Sequence, residues 1–478
     1  MYKIGKYGVN GNMFKSLKMI YNNAKAGVEI NGALTNWFDI SVGVRQGDPL
    51  SPTLFGLFIN DIVEAIKEKS TGIVNQDFEV QCLLFADDLV LISESERDLQ
   101  KMFDAVEEWC RKWRMKVNVN KSEVVHYRSK GHQETNFAFT LSGDVVEKVS
   151  SYKYLGIILD YSLDFNITAK VLGDSGGRAL GSVINKFISN KGLSYKTFTK
   201  LFNMTVCPIL DYCAGVWGFR NVECINAIQN RAIRYYLGVH KFAPNAGING
   251  EMGWVKREIC RKVDMVKFWN RLQRTDDNRL LKKVFHWDKR LCKSNWASEL
   301  RKICEDLDIL SSFNDNMYIN SNFVRTRLCS YYEEQWNREI NTTPKLRFYS
   351  LFKTNYIAEN YVKVINNRSI RSVFAQLRLG ILPLSIETGR FQDIPIEYRL
   401  CPYCNQNCIE SEFHFLLYCD KYNILRYDLL NQVRERYNLI DFLEEETKIK
   451  ILMSEDFIKL TSKFIYDSFN IRKCSTFV

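Results

Sequence analysis

Residues 83–92 read LLFADDLVLI. Eight of the ten are apolar, and the adjacent carboxylates Asp87 and Asp88 stand in the middle. A short apolar run normally makes a buried strand. Burying one carboxylate is costly, and two neighbours also repel each other. Two arrangements relieve the conflict. In one, the chain turns at Ala86-Asp87-Asp88 and leaves both acids on a polar hairpin tip with no metal. In the other, a divalent cation neutralises the pair. Hard oxygen ligands suit Mg2+, and a two-metal site uses such ligands to clamp the attacking and leaving oxygens in phosphoryl transfer.

The rest of the chain narrows the choice of partner. Its net charge of +11 over 478 residues favours an acidic partner, of which nucleic acid is the commonest. An apolar share of 46% fits a globular protein rather than a disordered one. No apolar run reaches the roughly 18 residues of a membrane span. The start, MYKIGKYGVNGN, lacks the apolar stretch of a secretory signal, so an intracellular protein is expected. The 14 cysteines are mostly scattered, as free thiols in a reducing compartment are, so any cluster is better read as a metal site.

Around LLFADDLVLI the pattern alternates between strand and helix. Residues 11–25 read as a helix, and VEINGALTNWFDI reads as two strands about an Asn31-Gly32 turn. RQGDPLSP starts as a loop, and Pro52 suits a first helical turn. From there Leu54, Phe55, Phe58, Ile59, Ile62 and Ile66 recur at helical spacing. After the aspartates, Ser93 or Ser95 can cap a helix with Glu96 or Asp98 three residues on. VNVNKSEVVHY and SYKYLGIILD read as strands, the second with Gly156 marking a bulge or a close backbone approach. Beyond about residue 165 the pattern is almost wholly helical and rich in Lys and Arg. This order suggests an α+β catalytic-type domain followed by helical domains.

The set RQGDPLSP (45–52), FADD, a helix, NVNKSE and YKYLGI resembles the reverse transcriptase domain of non-LTR (LINE-type) retrotransposons, in that family's order, from about residue 1 to 165. The resemblance implies a partial right-hand polymerase palm of antiparallel strands with helices, and the activity of an RNA-directed DNA polymerase. Asp87 and Asp88 are then the Mg2+-binding catalytic carboxylates. Arg45, Gln46 and Gly47 form the loop that contacts the incoming nucleotide and its template base, where glycine lets the backbone come close. Lys121 matches a lysine that stabilises charge near the triphosphate; as residues alone, it reads equally as a surface lysine. Tyr154, Leu155 and Gly156 belong to the hairpin that grips the primer end. The family's third catalytic aspartate, on an earlier strand, has no counterpart: only Glu29 and Asp39 are acidic between the predicted first helix and Arg45. An N-terminally truncated copy that cannot polymerise alone is the expectation. The implied partners are an RNA template, a DNA primer or target, and deoxynucleoside triphosphates, met in the cytoplasm and nucleus.

Near the other end, CPYCNQNCIESEFHFLLYC places Cys401, Cys404, His414 and Cys419 in the spacing C-x2-C-x9-H-x4-C. Thiolates and imidazole so spaced suit tetrahedral Zn2+. Cys408 is a fifth candidate that could compete. The cluster and its lead-in LRLGILPLSIETGR resemble the same family's C-terminal Cys-Cys-His-Cys knuckle, which implies a grip on template RNA or target DNA. Tyr403, Phe413 and Phe415 could stack on bases or pack a small core; the core is favoured. Arg378 and Arg390 are candidate phosphate contacts. In KREICRKVDMVKFWNRL the aromatics read as core and the charges as a nucleic-acid face. The expected organisation is a partial palm and fingers (1–163), a helical thumb (164–245), a helical linker region (246–395), a zinc knuckle (396–425) and C-terminal helices (426–478). The rival reading is a non-enzymatic RNA- or DNA-binding protein that uses thumb and knuckle.

Overall fold

A computed structural model describes residues 1–40, 42–220 and 222–474. The fold is a mixed α+β arrangement, mostly helical, and strands occur among the described residues as seven two-stranded pairs. The chain divides into two compact units, Met1–Lys153 with Asp160–Leu163, and Tyr154–Leu159 with Asp164–Val478.

In the first unit, helix Glu96–Trp113 supplies most of the core. Its buried Met102, Ala105, Val106 and Trp109 pack with Ile62 and Ile66. The opposite edge, at Phe103, joins Val124, Phe139, Leu141 and Val146. Ser95 caps this helix, accepting the Asp98 N–H at 3.1 Å and donating to the Asp98 carboxylate at 2.7 Å. The long helix expected after Pro52 is broken. Ser51–Ile59 and Ile62–Lys67 are separate helices, and the break falls at Asn60-Asp61, two weak helix formers. The Asp61 carboxylate accepts from Lys3 Nζ at 2.6 Å and from Trp109 Nε1 at 2.8 Å, anchoring the break to the core.

Two expected strands also take other forms. NVNKSE is a short 3-10 turn, Val119–Lys121, followed by a two-residue strand, Glu123–Val124, parallel to Glu147–Lys148. The Asn118 carbonyl accepts the Lys121 N–H at 3.0 Å and the Ser122 hydroxyl at 3.1 Å, so local side-chain and turn bonds displace the ladder. SYKYLGIILD is two strands, Ser151–Tyr154 and Ile157–Asp160, with Leu155-Gly156 as the turn between them. Both turn residues have positive φ, 46° and 86°, as a two-residue hairpin turn demands.

The second unit is built on helices, and one core runs through all four segments expected there: Leu180, Trp336, Phe415 and Phe464 belong to it together. Helix Asn166–Ser189 lies so close to its neighbour that a Cβ on Gly176 would stand 2.4 Å from Leu210 Cδ2. A second cluster gathers Trp269, Phe285, Leu300 and Phe313. Trp269 is fully buried, donates to the Met317 carbonyl at 2.9 Å and stacks on Phe313, so the core reading of that aromatic holds.

Arg378 is not a surface contact. It is 1% exposed, and its guanidinium meets Glu251 Oε1 at 2.9 Å and Glu359 Oε2 at 2.6 Å. Lys353 closes the chain of charges on Glu359 at 2.6 Å. The arginine sits in an amphipathic helix, Arg368–Arg378, whose last turn faces inward, and a buried arginine must be paired. No helix among the described residues is long and apolar enough to cross a membrane.

Candidate catalytic hairpin and metal centre

The run LLFADDLVLI folds as a hairpin. Cys82–Phe85 pairs antiparallel with Asp88–Leu91, and Phe85 faces Asp88 across the last rung. Leu84 and Leu89 turn toward the first unit's core, while Asp87 and Asp88 are exposed at the tip. The awkward burial of two charges therefore never arises. The tip carries strain instead, because Ala86 holds a φ of 51°. That region costs a residue with a Cβ about 1–2 kcal/mol. Strain of this kind gathers where a side chain must be aimed.

The acids fit a hard divalent cation in donor type, and solvent can reach both. No third carboxylate joins them in a metal-holding group among the described residues. Glu29 and Asp39 lie exposed on the Asn31-Gly32 hairpin and its outer rung, where Asp39 pairs with Lys25 at 3.8 Å.

Arg45, Gln46 and Gly47 form the loop that leads into helix Ser51–Ile59. Gln46 and Gly47 are exposed and Arg45 is half-buried. Gly47 has a φ of 82°, and a Cβ there would meet nothing within 4 Å, so the backbone angle and not crowding selects glycine. Two bonds brace the loop: Ser51 Oγ donates to the Arg45 carbonyl at 2.5 Å, and the Asp48 carboxylate accepts the Leu50 N–H at 2.9 Å. Lys121 is exposed in its 3-10 turn.

Tyr154, Leu155 and Gly156 fall in the second unit. Tyr212, missed in the sequence, braces their turn. Its hydroxyl donates to the Leu155 carbonyl at 2.9 Å, and its ring would lie 3.0 Å from a Cβ on Gly156. The expected close approach at Gly156 is thus real, although the residue makes a turn and not a bulge. Fifty-seven residues separate Tyr212 from Leu155, and no local pattern links them.

The cysteine cluster is gathered. One donor atom each from Cys401, Cys404, His414 and Cys419 lies within 4.8 Å of every other. Cys401 Sγ is 3.8 Å from Cys419 Sγ, and Cys404 Sγ is 3.4 Å from His414 Nε2. Tetrahedral zinc, with Zn–S about 2.3 Å and Zn–N about 2.05 Å, sets those edges at about 3.8 and about 3.6 Å. A single π turn, His414–Tyr418, aims two of the donors, and the Cys419 N–H reaches back to the His414 carbonyl at 2.8 Å. Arg426 pins the same turn through the carbonyls of Leu416 and Cys419, both at 2.9 Å.

Cys408 is not among the four residues whose donor atoms gather. Its sulfur lies 3.2 Å from His414 Nδ1, the ring nitrogen opposite the one that faces Cys404. With the proton on Nδ1, the Cys408 sulfur can accept it, and that tautomer leaves Nε2 free. Burial pushes the Cys401 and Cys419 thiols up and the His414 imidazole down. A cation among these donors would favour the thiolates.

The aromatics of the cluster pack. Phe415 is fully buried against Tyr422, Phe413 leans on Phe348, and Tyr403 lies under the Arg472 guanidinium. Arg390 is 39% exposed and pairs loosely with Glu387 at 3.3 Å, beside the exposed Phe391.

Residues 4–159 match the reverse transcriptase (RNA-dependent DNA polymerase) family. The chain is 27% identical over 264 residues to the RNA-directed DNA polymerase from mobile element jockey of Drosophila funebris, covering 52% of this chain and 28% of that protein. It is 27% identical over 163 residues to the retrovirus-related Pol polyprotein from type-1 retrotransposable element R2 of Nasonia vitripennis, covering 32% and 16%. It is 25% identical over 251 residues to the probable RNA-directed DNA polymerase from transposon X-element of Drosophila melanogaster, covering 50% and 26%. Residues 4–159 are therefore a reverse transcriptase domain. The relatives it resembles are RNA-directed DNA polymerases and Pol polyproteins of mobile elements, and the chain spans less than a third of their length.

Proposed function

We propose that the chain serves RNA-templated DNA synthesis in such an element, acting in the cytoplasm and nucleus. The observation that carries this reading is the family match over residues 4–159, with Asp87 and Asp88 exposed together at a hairpin tip. In this reading the two carboxylates hold Mg2+, which when bound stabilises charge on the transferring phosphoryl group. The Arg45-Gln46-Gly47 loop receives the incoming nucleotide beside its template base, and Lys121 offsets triphosphate charge. The turn Tyr154-Leu155-Gly156 supports the primer end, the helical unit holds template and primer by their backbones, and Arg390 adds a phosphate contact. Cys401, Cys404, His414 and Cys419 hold Zn2+, their thiolates and imidazole fixing the helical lead-in to that ion.

Two carboxylates are a sparse set for two cations, and the described residues add no third. The donor set for zinc, by contrast, is complete. This asymmetry favours nucleic-acid binding over synthesis for the chain acting alone. The test supplies the purified chain with a primed RNA template, deoxynucleotides and either Mg2+ or Mn2+. Retention of the template–primer without templated extension is expected. Robust extension that Asp87→Ala abolishes would overturn the inactivity of the isolated chain, and absence of any template–primer binding would overturn the function itself.

A further inference from the structure

One pocket of the second unit lies along the basic helix of KREICRKVDMVKFWNRL. It has a volume of about 620 Å3 and opens where helix Arg257–Gln273 ends, beside the first turn of helix Ser321–Thr342. Lys267, Arg271, Arg274 and Arg279 line it with a single acid, Asp276, and all four cations are exposed. The first three stand at i, i+4 and i+7, so one helix face presents them together. Lys267 also reaches Asp264 at 2.8 Å, but an exposed pair of that kind holds its partner weakly. Asp276 is engaged locally, accepting the Asn278 N–H at 2.8 Å.

The pocket also has a flat wall. Tyr318 is 58% exposed, and the Arg274 guanidinium lies 5.6 Å from its ring centroid. The segment that carries Tyr318 is fixed and not loose. Asn270 is buried beneath it, donating to the Ile319 carbonyl at 2.8 Å and accepting the Ile319 N–H at 2.9 Å. Ser321, at the positive end of a 22-residue helix, completes the lining. Asn320 already caps that helix, so its end contributes field more than donors.

Four cations, a helix N-terminus and a solvent-facing aromatic on a braced loop make a recognisable combination. The cations match a phosphodiester backbone, and the ring offers a stacking face to an unpaired base. Acidic peptide lacks the base, and duplex nucleic acid keeps its bases inside. We infer that this pocket binds single-stranded nucleic acid, with phosphates on Arg271, Arg274 and Arg279 and one base on Tyr318. The inference rests on the nucleic-acid reading proposed above, and adds a site to it outside the reverse transcriptase domain.

The test compares full-length variants by fluorescence anisotropy on a single-stranded oligonucleotide across a salt series. The triple variant R271A/R274A/R279A is set against K450A/K459A/K463A, which removes the same charge from exposed positions elsewhere. The pocket variant should lose on the order of 10–100-fold in affinity near 0.1 M salt and flatten the salt slope by about 2. The control should change little. Tyr318→Ala should weaken binding several-fold while Tyr318→Phe retains it. Equal effects of the two triple variants would overturn the site while leaving the wider function standing. So would a Tyr318→Ala variant that binds like the parent. A parent chain that binds no oligonucleotide at any salt would overturn both.

Discussion

The two units stabilise themselves in different ways. The first has thin sheets, and large apolar side chains stay in water: Trp37 is 63% exposed, Phe38 52% and Phe85 60%. A two-stranded sheet has too little width to bury a face, so helix Glu96–Trp113 carries the core almost alone. In the second unit, the bulkiest fully buried side chains include Trp217, Trp269 and Trp336, together with the charged Arg261, Arg371 and Arg378. Its interior is large enough to enclose charges: hydrogen bonds answer Arg371 and Arg378, while the Arg261 guanidinium has no hydrogen-bond partner among the described residues and lies 5.7 Å from the Trp217 ring centroid. Arg371, for one, spends its guanidinium on the carbonyls of Tyr236 and Ile365. The first unit is thus held by one central helix, with turns, a cap and a few longer bonds such as those of Asp61 to Lys3 and Trp109. The second is held by bonds between distant residues, and the Cys/His cluster is set into the same core.

That contrast is sharpest at the Cys/His cluster. Cys401, Cys419, Phe415 and Leu416 all belong to the main core of the second unit, so the ion should act on the whole unit and not on a detachable knuckle. About one zinc per chain is expected by elemental analysis, and Cys419→Ser should abolish it. Structural zinc sites of this kind have apparent binding energies on the order of 10 kcal/mol, expressed as folding energy. Chelation should therefore lower the melting temperature of the second unit and leave hydrogen exchange in helix Glu96–Trp113 unchanged. Zinc-free protein that melts like the native chain would sink the assignment.

Next in size is the buried ion network. Removing Arg378 leaves Glu251 and part of Glu359 buried without their partner, which typically costs about 3–5 kcal/mol. Arg378→Ala should show that loss in denaturant unfolding of the second unit. The network also predicts acid sensitivity. Burial alone would raise the Glu359 carboxyl, but Arg378 and Lys353 outweigh it and hold the group below its ordinary value. A depressed carboxyl stabilises the fold above its unfolded pKa of about 4.3, and that contribution is lost as pH falls through the lower folded value. Stability of the second unit should fall as the pH drops below about 4, and the Arg378→Ala variant should lose this part of the dependence. An unchanged acid limb in the variant would remove the network from the account.

A smaller effect is expected at Cys408. If its sulfur orients His414 through Nδ1 and does not bind the ion, Cys408→Ser keeps the zinc stoichiometry and weakens affinity by about 10–100-fold, the usual cost of losing a ligand's outer hydrogen bond. Competition with a coloured chelator reads this directly. Loss of the ion altogether would make Cys408 a ligand after all.

What the sequence disclosed follows the same division. The Asn31-Gly32 turn, the Ser95 cap and the carboxylate hairpin are written in four to ten adjacent residues, and each takes its form from chemistry within that window. The gathered Cys/His cluster was legible because candidate metal ligands keep a compact spacing. Arg378 was misread because its partner Glu251 is 127 residues away and nothing near it marks the helix face that turns inward. The strand expected through NVNKSE failed for the opposite reason. A local competitor, the Ser122 hydroxyl that bonds back to the Asn118 carbonyl, was present in the sequence but weighed less than the β-prone valines. The basic face of KREICRKVDMVKFWNRL was legible as charge, while the loop that brings Tyr318 beside it was not.

The smallest prediction belongs to the first unit. Ser95 both caps helix Glu96–Trp113 and holds Asp98, whose carboxyl lies below its ordinary range chiefly because the Ser95 hydroxyl donates to it, with Lys101 adding a second bond. Ser95→Ala should cost about 1 kcal/mol, the usual worth of an N-cap. The Asp98 carboxyl should also move up toward its ordinary value in an NMR titration. Because that helix carries the core of its unit with little help from the sheets, the loss should reach the hairpin that presents Asp87 and Asp88, through Leu84 and Leu89. Faster hydrogen exchange at Leu84 and Leu89, with none at Trp336 or Phe415, is the expected pattern. A uniform change across both units would mean that they do not stabilise themselves separately.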